Sequence, residues 1–315
     1  MGIVSDFIDG IKDWFETTIH DILADGITSQ FQSISDSLTS TYSSSTDGEA
    51  GLTKIFLTTH PADFTGAATV HSTPIWVTIE RLCNNVVVPI GGFILVVILL
   101  SDLIQTVIRG NNFKDFDDSI FIKWIIKALC GVILVSNVYY IASALFSFGT
   151  DVCANGLSYL FNTNALRAVD VDKFKEALSS YGNGEMLTML LLSFVIHLLI
   201  LALTVVIIIV MASRMIEVFM YLGVAPIPMA TMLNSEWSEV GKNWVRGILA
   251  LSFQGFFIII ALGIFKTLYS NVISSINNVE DGVIMTLAML AGYSCALLFT
   301  VLRSGNISKS IFNAH

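Results

Sequence analysis

Five apolar runs, each about 20 residues or longer, recur along this 315-residue chain at 86–108, 122–147, 186–211, 247–269 and 283–303. At 1.5 Å of rise per residue, ~20 residues of α-helix cross the ~30 Å hydrocarbon core of a bilayer. Charge decides between lipid and the interior of a large soluble domain. Only 13% of the residues are charged and 54% are apolar, whereas a soluble domain carries about 25% charge to face water. With a mean hydropathy of +0.74, the chain cannot cover a soluble surface. Backbone groups in lipid must be satisfied within the protein, so runs of this length read as helices. The expected fold is all-α: a polytopic helical membrane protein with about five transmembrane helices.

Residues 1–85 differ from the rest and are read as a separate N-terminal region ahead of a helical membrane domain at 86–315. This region holds eleven of the 25 acidic residues, against Lys12, Lys54 and Arg81 alone. Over 3–24, Ile3, Phe7, Ile8, Ile11, Trp14, Phe15, Ile19, Ile22 and Leu23 recur at helical spacing, with Asp6, Asp9, Asp13, Glu16 and Asp21 opposite. The pattern predicts an amphipathic helix too charged to span. An acidic face suits anionic lipid poorly, so packing against protein is favoured over a membrane surface. The Ser/Thr-rich stretch 32–50 reads as a flexible linker. Helix is expected to resume near Pro74. The N-terminus shows neither a signal peptide nor a myristoylation pattern.

Between the third and fourth runs, 215–232 is apolar but contains Pro226 and Pro228. Proline removes a backbone donor and breaks a helix, and the freed groups need protein or water partners. The segment is therefore read as a re-entrant or broken helical element rather than a sixth span. With five spans, Arg109, Lys114, Arg214, Lys242, Arg246 and Lys309 share one side, while 270–282 on the other side has no Lys or Arg. The positive-inside rule then predicts an outside N-terminus, a cytoplasmic C-terminus and an outer loop at 148–185 in the cell membrane. Trp124, Trp237 and Trp244 fall at the cytoplasmic interface of this scheme, Trp76 and Tyr269 at the outer one.

Few polar residues lie at membrane depth. His197 sits near the middle of the third run; a proton relay and a neutral imidazole bonded to a neighbouring helix are the two readings. Asp102 near the end of the first span and Lys127 near the start of the second could meet, and pairing would offset an insertion cost of ~2.5–3.5 kcal/mol for each charge. Arg214 and Glu217, one turn apart at the mouth of the third span, suit a local ion pair. Ala288, Gly292 and Ala296 recur every fourth residue in the last span, a spacing that lets helices approach closely.

Catalytic and cofactor signatures are absent from the sequence. Gly241-Lys242-Asn243 lacks the remaining elements of a phosphate loop. Gly292-Tyr293-Ser294-Cys295-Ala296 resembles a serine nucleophile turn only faintly, because its second glycine is missing and Ser294 falls within the packing stripe. The four cysteines have no metal spacing. Cys130 and Cys295 read as small buried side chains, and a Cys83–Cys153 bridge on the outer side is possible. Without a basic run to neutralise phosphates, any association with DNA is indirect or transient.

The segment Arg-Met-Ile-Glu-Val-Phe-Met-Tyr-Leu-Gly-Val-Ala-Pro-Ile-Pro from Arg214, followed by Glu-Trp-Ser-Glu-Val-Gly-Lys-Asn-Trp-Val-Arg-Gly from Glu236, resembles the TrbL family. These are polytopic membrane proteins of conjugative type IV secretion systems, particularly of Gram-positive mobile elements. The resemblance covers about 85–303, with its specific part within 213–260. It implies a non-enzymatic channel or scaffold subunit of a DNA transfer apparatus, without a cofactor, assembled with the machine's ATPases and bitopic membrane proteins and forming homo-oligomers. A solute or ion transporter using His197 and Asp102 is the alternative, though such proteins more often carry internal repeats.

Overall fold

The computed structural model describes residues 2–42, 57–64, 75–109, 118–161, 171–234, 236–278 and 282–314, and every long element among them is a helix. In chain order these are α1 (Gly2–Tyr42), a 3-10 turn (Pro61–Asp63), α2 (Ile75–Leu82), α3 (Val88–Arg109), α4 (Asp118–Phe161), α5 (Val171–Leu178), α6 (Asn183–Val224), α7 (Pro226–Thr231), α8 (Ser238–Asn278) and α9 (Val283–Ile311). A π-helical turn at Cys83–Val87 joins α2 to α3. Its cause is the next proline: Pro89 has no N–H to give to Asn85, and Val88 donates five residues back to the Cys83 carbonyl.

Five stretches among the described residues are long and apolar enough to cross a membrane: Ile75–Gln105, Phe121–Leu160, Asn183–Val224, Ser238–Ser275 and Ile284–Ile311. The protein is an all-α polytopic membrane protein. Several helices run well past the apolar runs that announce them. The 42 residues of α6 correspond to about 63 Å, twice the hydrocarbon core. Nothing between 211 and 224 stops a helix, so Arg214 and Glu217 lie inside α6 and not at its mouth.

The segment 215–232 adds no sixth span. Its first part completes α6, and the chain breaks at Ala225, where Pro226 takes the first position of α7. Three structural expectations change in similar fashion. Helix α1 continues to Tyr42, through 32–42 of the expected linker, because Ile27, Phe31 and Ile34 keep a buried face at helical spacing; residues 43–50 lie outside the described residues. The expected outer loop 148–185 is helical at 148–161 and 171–178 and again from Asn183. Cys130 is exposed, on a helix whose apolar neighbours Ile126, Leu129 and Ile133 also face outward. Cys83 and Cys153 are buried free thiols.

The chain divides into two compact units. One comprises Met1–Ile55, Gly156–Val210 and Ile258–Leu302; the other comprises Phe56–Asn155, Met211–Phe257 and Arg303–His315. In the first unit α1 packs on α5. Phe31 and Phe174 meet edge to face at 5.0 Å between centroids, and Lys175 pairs with Asp25 at 2.6 Å. The Lys266 ammonium donates to the Leu160 carbonyl at 2.8 Å, which neutralises the last turn of α4. Trp14 (67% exposed), Phe15 and Ile22 face outward, and side chains before residue 12 lie outside the described residues.

The second unit contains a core built around Tyr139, Phe146, Phe219, Leu222, Ile248 and Leu251. The Tyr139 hydroxyl donates to the Trp76 carbonyl at 3.1 Å, and their rings lie 4.5 Å apart, which ties α2 to α4. Helix α7 is almost wholly buried and packs along α3, where a small cluster joins Leu95, Leu99, Val135 and Ala230. The approach is close because α3 offers glycine: a Cβ on Gly91 would lie 2.8 Å from both Cβ and O of Pro226, whereas one on Gly92 would meet nothing within 4 Å. Overpacking a rigid backbone contact costs about 1–3 kcal/mol. Gly91→Ala is therefore expected to lower the melting temperature of the detergent-solubilised protein by several degrees, while Gly92→Ala leaves it unchanged or raises it. Equal effects of the two substitutions would show that the contact of α3 with α7 is not close.

Candidate functional site: buried polar groups of the helical bundle

Asp102 lies one turn after Leu99 on α3 and Lys127 one turn after Trp124 on α4, and the Trp124 indole donates to the Leu99 carbonyl at 3.1 Å. That contact sets the register of the two helices, and the Lys127 ammonium then meets Asp102 Oδ2 at 2.7 Å. Both side chains remain partly exposed. One turn further along α3, Gln105 donates to Glu236 at 3.2 Å. Asp102 and Gln105 at this end of α3 are thus bonded to residues outside their own helix.

Arg214 forms no ion pair with Glu217 among the described residues. It is 3% exposed, and its guanidinium turns to α8, where Nε donates to the Leu251 carbonyl at 2.9 Å and Nη2 donates to that of Ser252 at 3.1 Å. Gly255 opens the slot. In a helix the side chain four residues on covers a carbonyl, and a Cβ at Gly255 would lie 3.0 Å from Arg214 Nη1 and 2.9 Å from Cys153 Sγ. Helix α4 closes in from the other direction. A Cβ on Gly149 would lie 2.7 Å from that of Ser252, and the Ser252 hydroxyl donates to the Leu145 carbonyl at 3.3 Å. Three helices therefore cross at a point fixed by one guanidinium, with carbonyl dipoles in place of a carboxylate. A buried cation is tolerated only where such partners are found. The sequence marks Arg214 as unusual, but its local Glu217 misdirects. The informative signal is Gly255, three residues after Ser252 on α8.

His197 belongs to the first unit. It is half-buried, and its Nδ1 is buried without a hydrogen-bond partner among the described residues. Pro226 and Pro228 are buried in α7. Its backbone is satisfied locally: the Met229 N–H donates to the Ala225 carbonyl at 3.2 Å and the Thr231 hydroxyl to the Pro228 carbonyl at 2.7 Å. Ala288, Gly292 and Ala296 are exposed on α9, and a Cβ on Gly292 would meet nothing within 4 Å. Ser294 is buried, with its hydroxyl donated to the Leu290 carbonyl of its own helix at 2.8 Å. No group of three or more His, Cys, Asp or Glu side chains that could hold a metal occurs among the described residues.

The Arg214 slot has a measurable signature. Gly255→Ala is expected to cost about 1–3 kcal/mol, and the cost should shrink when Arg214 is also changed to Met, since close neighbours couple by 0.5–3 kcal/mol. A double-mutant cycle on thermal unfolding in detergent reads this. Additive effects would mean that Gly255 serves only the Cys153 contact.

No curated protein matches the chain, and no solved structure matches it. A family match is found over residues 59–226, slightly more than half of the 315 residues. It starts upstream of the first span, takes in the Asp102–Lys127 pair, His197 and Arg214, and ends at Pro226, so the Glu236–Gly247 part of the motif lies outside it. By this match the chain belongs to the TrbL/VirB6 plasmid conjugal transfer like protein family.

Proposed function

We propose that the chain is a non-catalytic channel or scaffold subunit of a conjugative type IV secretion apparatus, working as a homo-oligomer alongside the machine's ATPases and bitopic membrane proteins. The family match carries this reading, and two features of the molecule support it. The polar groups at helix contacts are engaged in holding helices together: Asp102 by Lys127, Arg214 by the carbonyls of α8. In addition, the small-residue stripe of α9 is unused within the chain and offers a neighbouring subunit a face for close packing. The net charge of −9 opposes a tight DNA-lined pore, so DNA is handled indirectly or within a wide hydrated conduit. The transporter alternative is left with His197, because Asp102 is neutralised by its partner. His197 retains one observation in that reading's favour, its unpartnered Nδ1.

The test is co-purification from the native membrane in mild detergent. Tagged protein is expected to recover an untagged second copy together with secretion ATPases. Gly292→Ile should be inserted at the wild-type level yet lose most of the second copy, since a Cβ there meets nothing within 4 Å inside the subunit and the added bulk faces an outside partner. Recovery of a lone monodisperse monomer would overturn the assembly reading.

The orientation proposed is an outside N-terminus and a cytoplasmic C-terminus, from the bias of Lys and Arg among the connecting segments. Asn271 and Ser310 are exposed positions near opposite ends of the last two spans. As single cysteines in a background lacking the native four, Asn271→Cys is expected to react with an impermeant maleimide on intact cells and Ser310→Cys only after lysis. The reverse pattern would invert the topology.

A further inference from the structure

In the first unit α1 runs beside α6 and in the same direction. The Asn183 side chain donates to the Glu16 carbonyl at 3.4 Å, and further along both helices a Cβ on Gly26 would lie 3.0 Å from Leu190 Cδ1. On α6 the outward side chains over this stretch are large and apolar: Leu187, Leu191, Leu198, Val205 and Ile209. No Asp, Glu, Lys or Arg occurs between Leu187 and Ile209. The row extends over about 33 Å of helix, close to the ~30 Å of a hydrocarbon core, so it marks the depth of the lipid.

At the same depth the outward stripe of α1 is of another kind. Ile22, Asp25, Ser29, Gln32 and Asp36 follow one another at spacings of three and four residues, and all are exposed, while Ile27, Phe31 and Ile34 are buried. Asp36 lies about 15 Å along the helix from the contact of Gly26 with Leu190, well inside the interval that α6 marks as lipid. Ionisable groups at such depth face a bundle interior or a water-filled cavity. The seam between the helices adds two polar atoms. Gln30 Oε1, one turn past Gly26, and His197 Nδ1, two turns past Leu190 on the same face of α6, are buried without a hydrogen-bond partner among the described residues. Buried polar atoms are nearly always paired. A helix of another protein laid here would need a matching group for each of Gln32 and Asp36, whereas water serves both and fits the single atoms of the seam.

We propose that the outward face of α1 is one wall of a water-filled passage at membrane depth, lined by Ser29, Gln32 and Asp36, while α6 beside it faces lipid. The remaining wall is supplied by neighbouring subunits, and to that extent the inference rests on the assembly proposed above.

Cysteine accessibility in native membranes tests it. Ser29→Cys, Gln32→Cys and, as lipid-facing references at matching depth, Leu191→Cys and Leu198→Cys are each made in the full chain lacking its native four cysteines. Broken membranes, open on both sides, are treated with a trimethylammonium thiosulfonate, and the added group is read by intact mass. The reactive thiolate forms only where water reaches, so the two α1 positions are expected to react at least ~tenfold faster than the two on α6. Rapid reaction at all four would place both helices beyond the membrane and overturn the passage. Slow reaction at all four overturns it too, because the α1 face would then be covered by protein or lipid. Rates are taken on protein recovered together with a second, differently tagged copy. A dry α1 face in an intact assembly therefore removes the passage alone, whereas failure to recover the second copy removes the assembly reading.

Discussion

A broken helix inside a membrane protein has no water to repair it, and the arrangement of the second unit follows from how this chain repairs its break. Pro226 and Pro228 bring no N–H groups, and the chain between α6 and α8 must satisfy its remaining donors and acceptors over a dozen residues. It does so with short-range bonds from Ala225 through Asn234 and a hydroxyl, Thr231, turned back on Pro228. The compact plug that results is buried on nearly every side. Burial needs neighbours that let a backbone approach closely, which α3 supplies at Gly91 and α8 at Gly241, where a Cβ would lie 2.6 Å from the Pro228 carbonyl. The double proline and these glycines are one device distributed over three elements.

Lys127 and Arg214 illustrate different ways of holding a charge away from water. Lys127 is a compact point charge near a helix end, and a single carboxylate one helix away, still partly solvated, suffices for it. Arg214 is deeper and carries a planar fork, so it spreads its charge over two successive carbonyls of α8. Those carbonyls already belong to a helix, and their alignment is paid for by the fold. Fork geometry also makes the contact directional: it fixes the rotation of α8 about its axis as well as its distance from α6. A lysine at 214 would be too short and too symmetric to do the same.

Spans were legible in the sequence because lipid imposes a simple rule, and the rule is one of length and apolarity. Helix ends were not, because nothing in 148–161 or 211–224 stops a helix: no proline, and no glycine cluster, occurs in either. Polar residues such as Arg214 and Asp151 mark the edge of an apolar run without marking the edge of the helix. Asp102 and Lys127 were readable as neighbours since both sit at the same end of consecutive antiparallel spans. The partners of Arg214 were not, since carbonyl groups leave no trace in a sequence and Glu217 offered a plausible local match. Helix α1 carries two apolar stripes. Trp14, Phe15 and Ile22 form the stronger apolar stripe by residue size, yet the chain's own packing uses the smaller one at Ala24, Ile27, Phe31 and Ile34.

That leaves apolar surface of two chemically distinct kinds. On α3, Phe93, Val96, Leu100 and Ile104 are large and exposed, the composition expected where fluid acyl chains are the neighbours and no shape is being matched. On α9 the exposed stripe Ala288–Gly292–Ala296 is small and flat, which gains little from acyl chains and much from another helix backbone, since in lipid it is close van der Waals contact that drives helix association. What separates the two is side-chain volume, a quantity that mean hydropathy averages away.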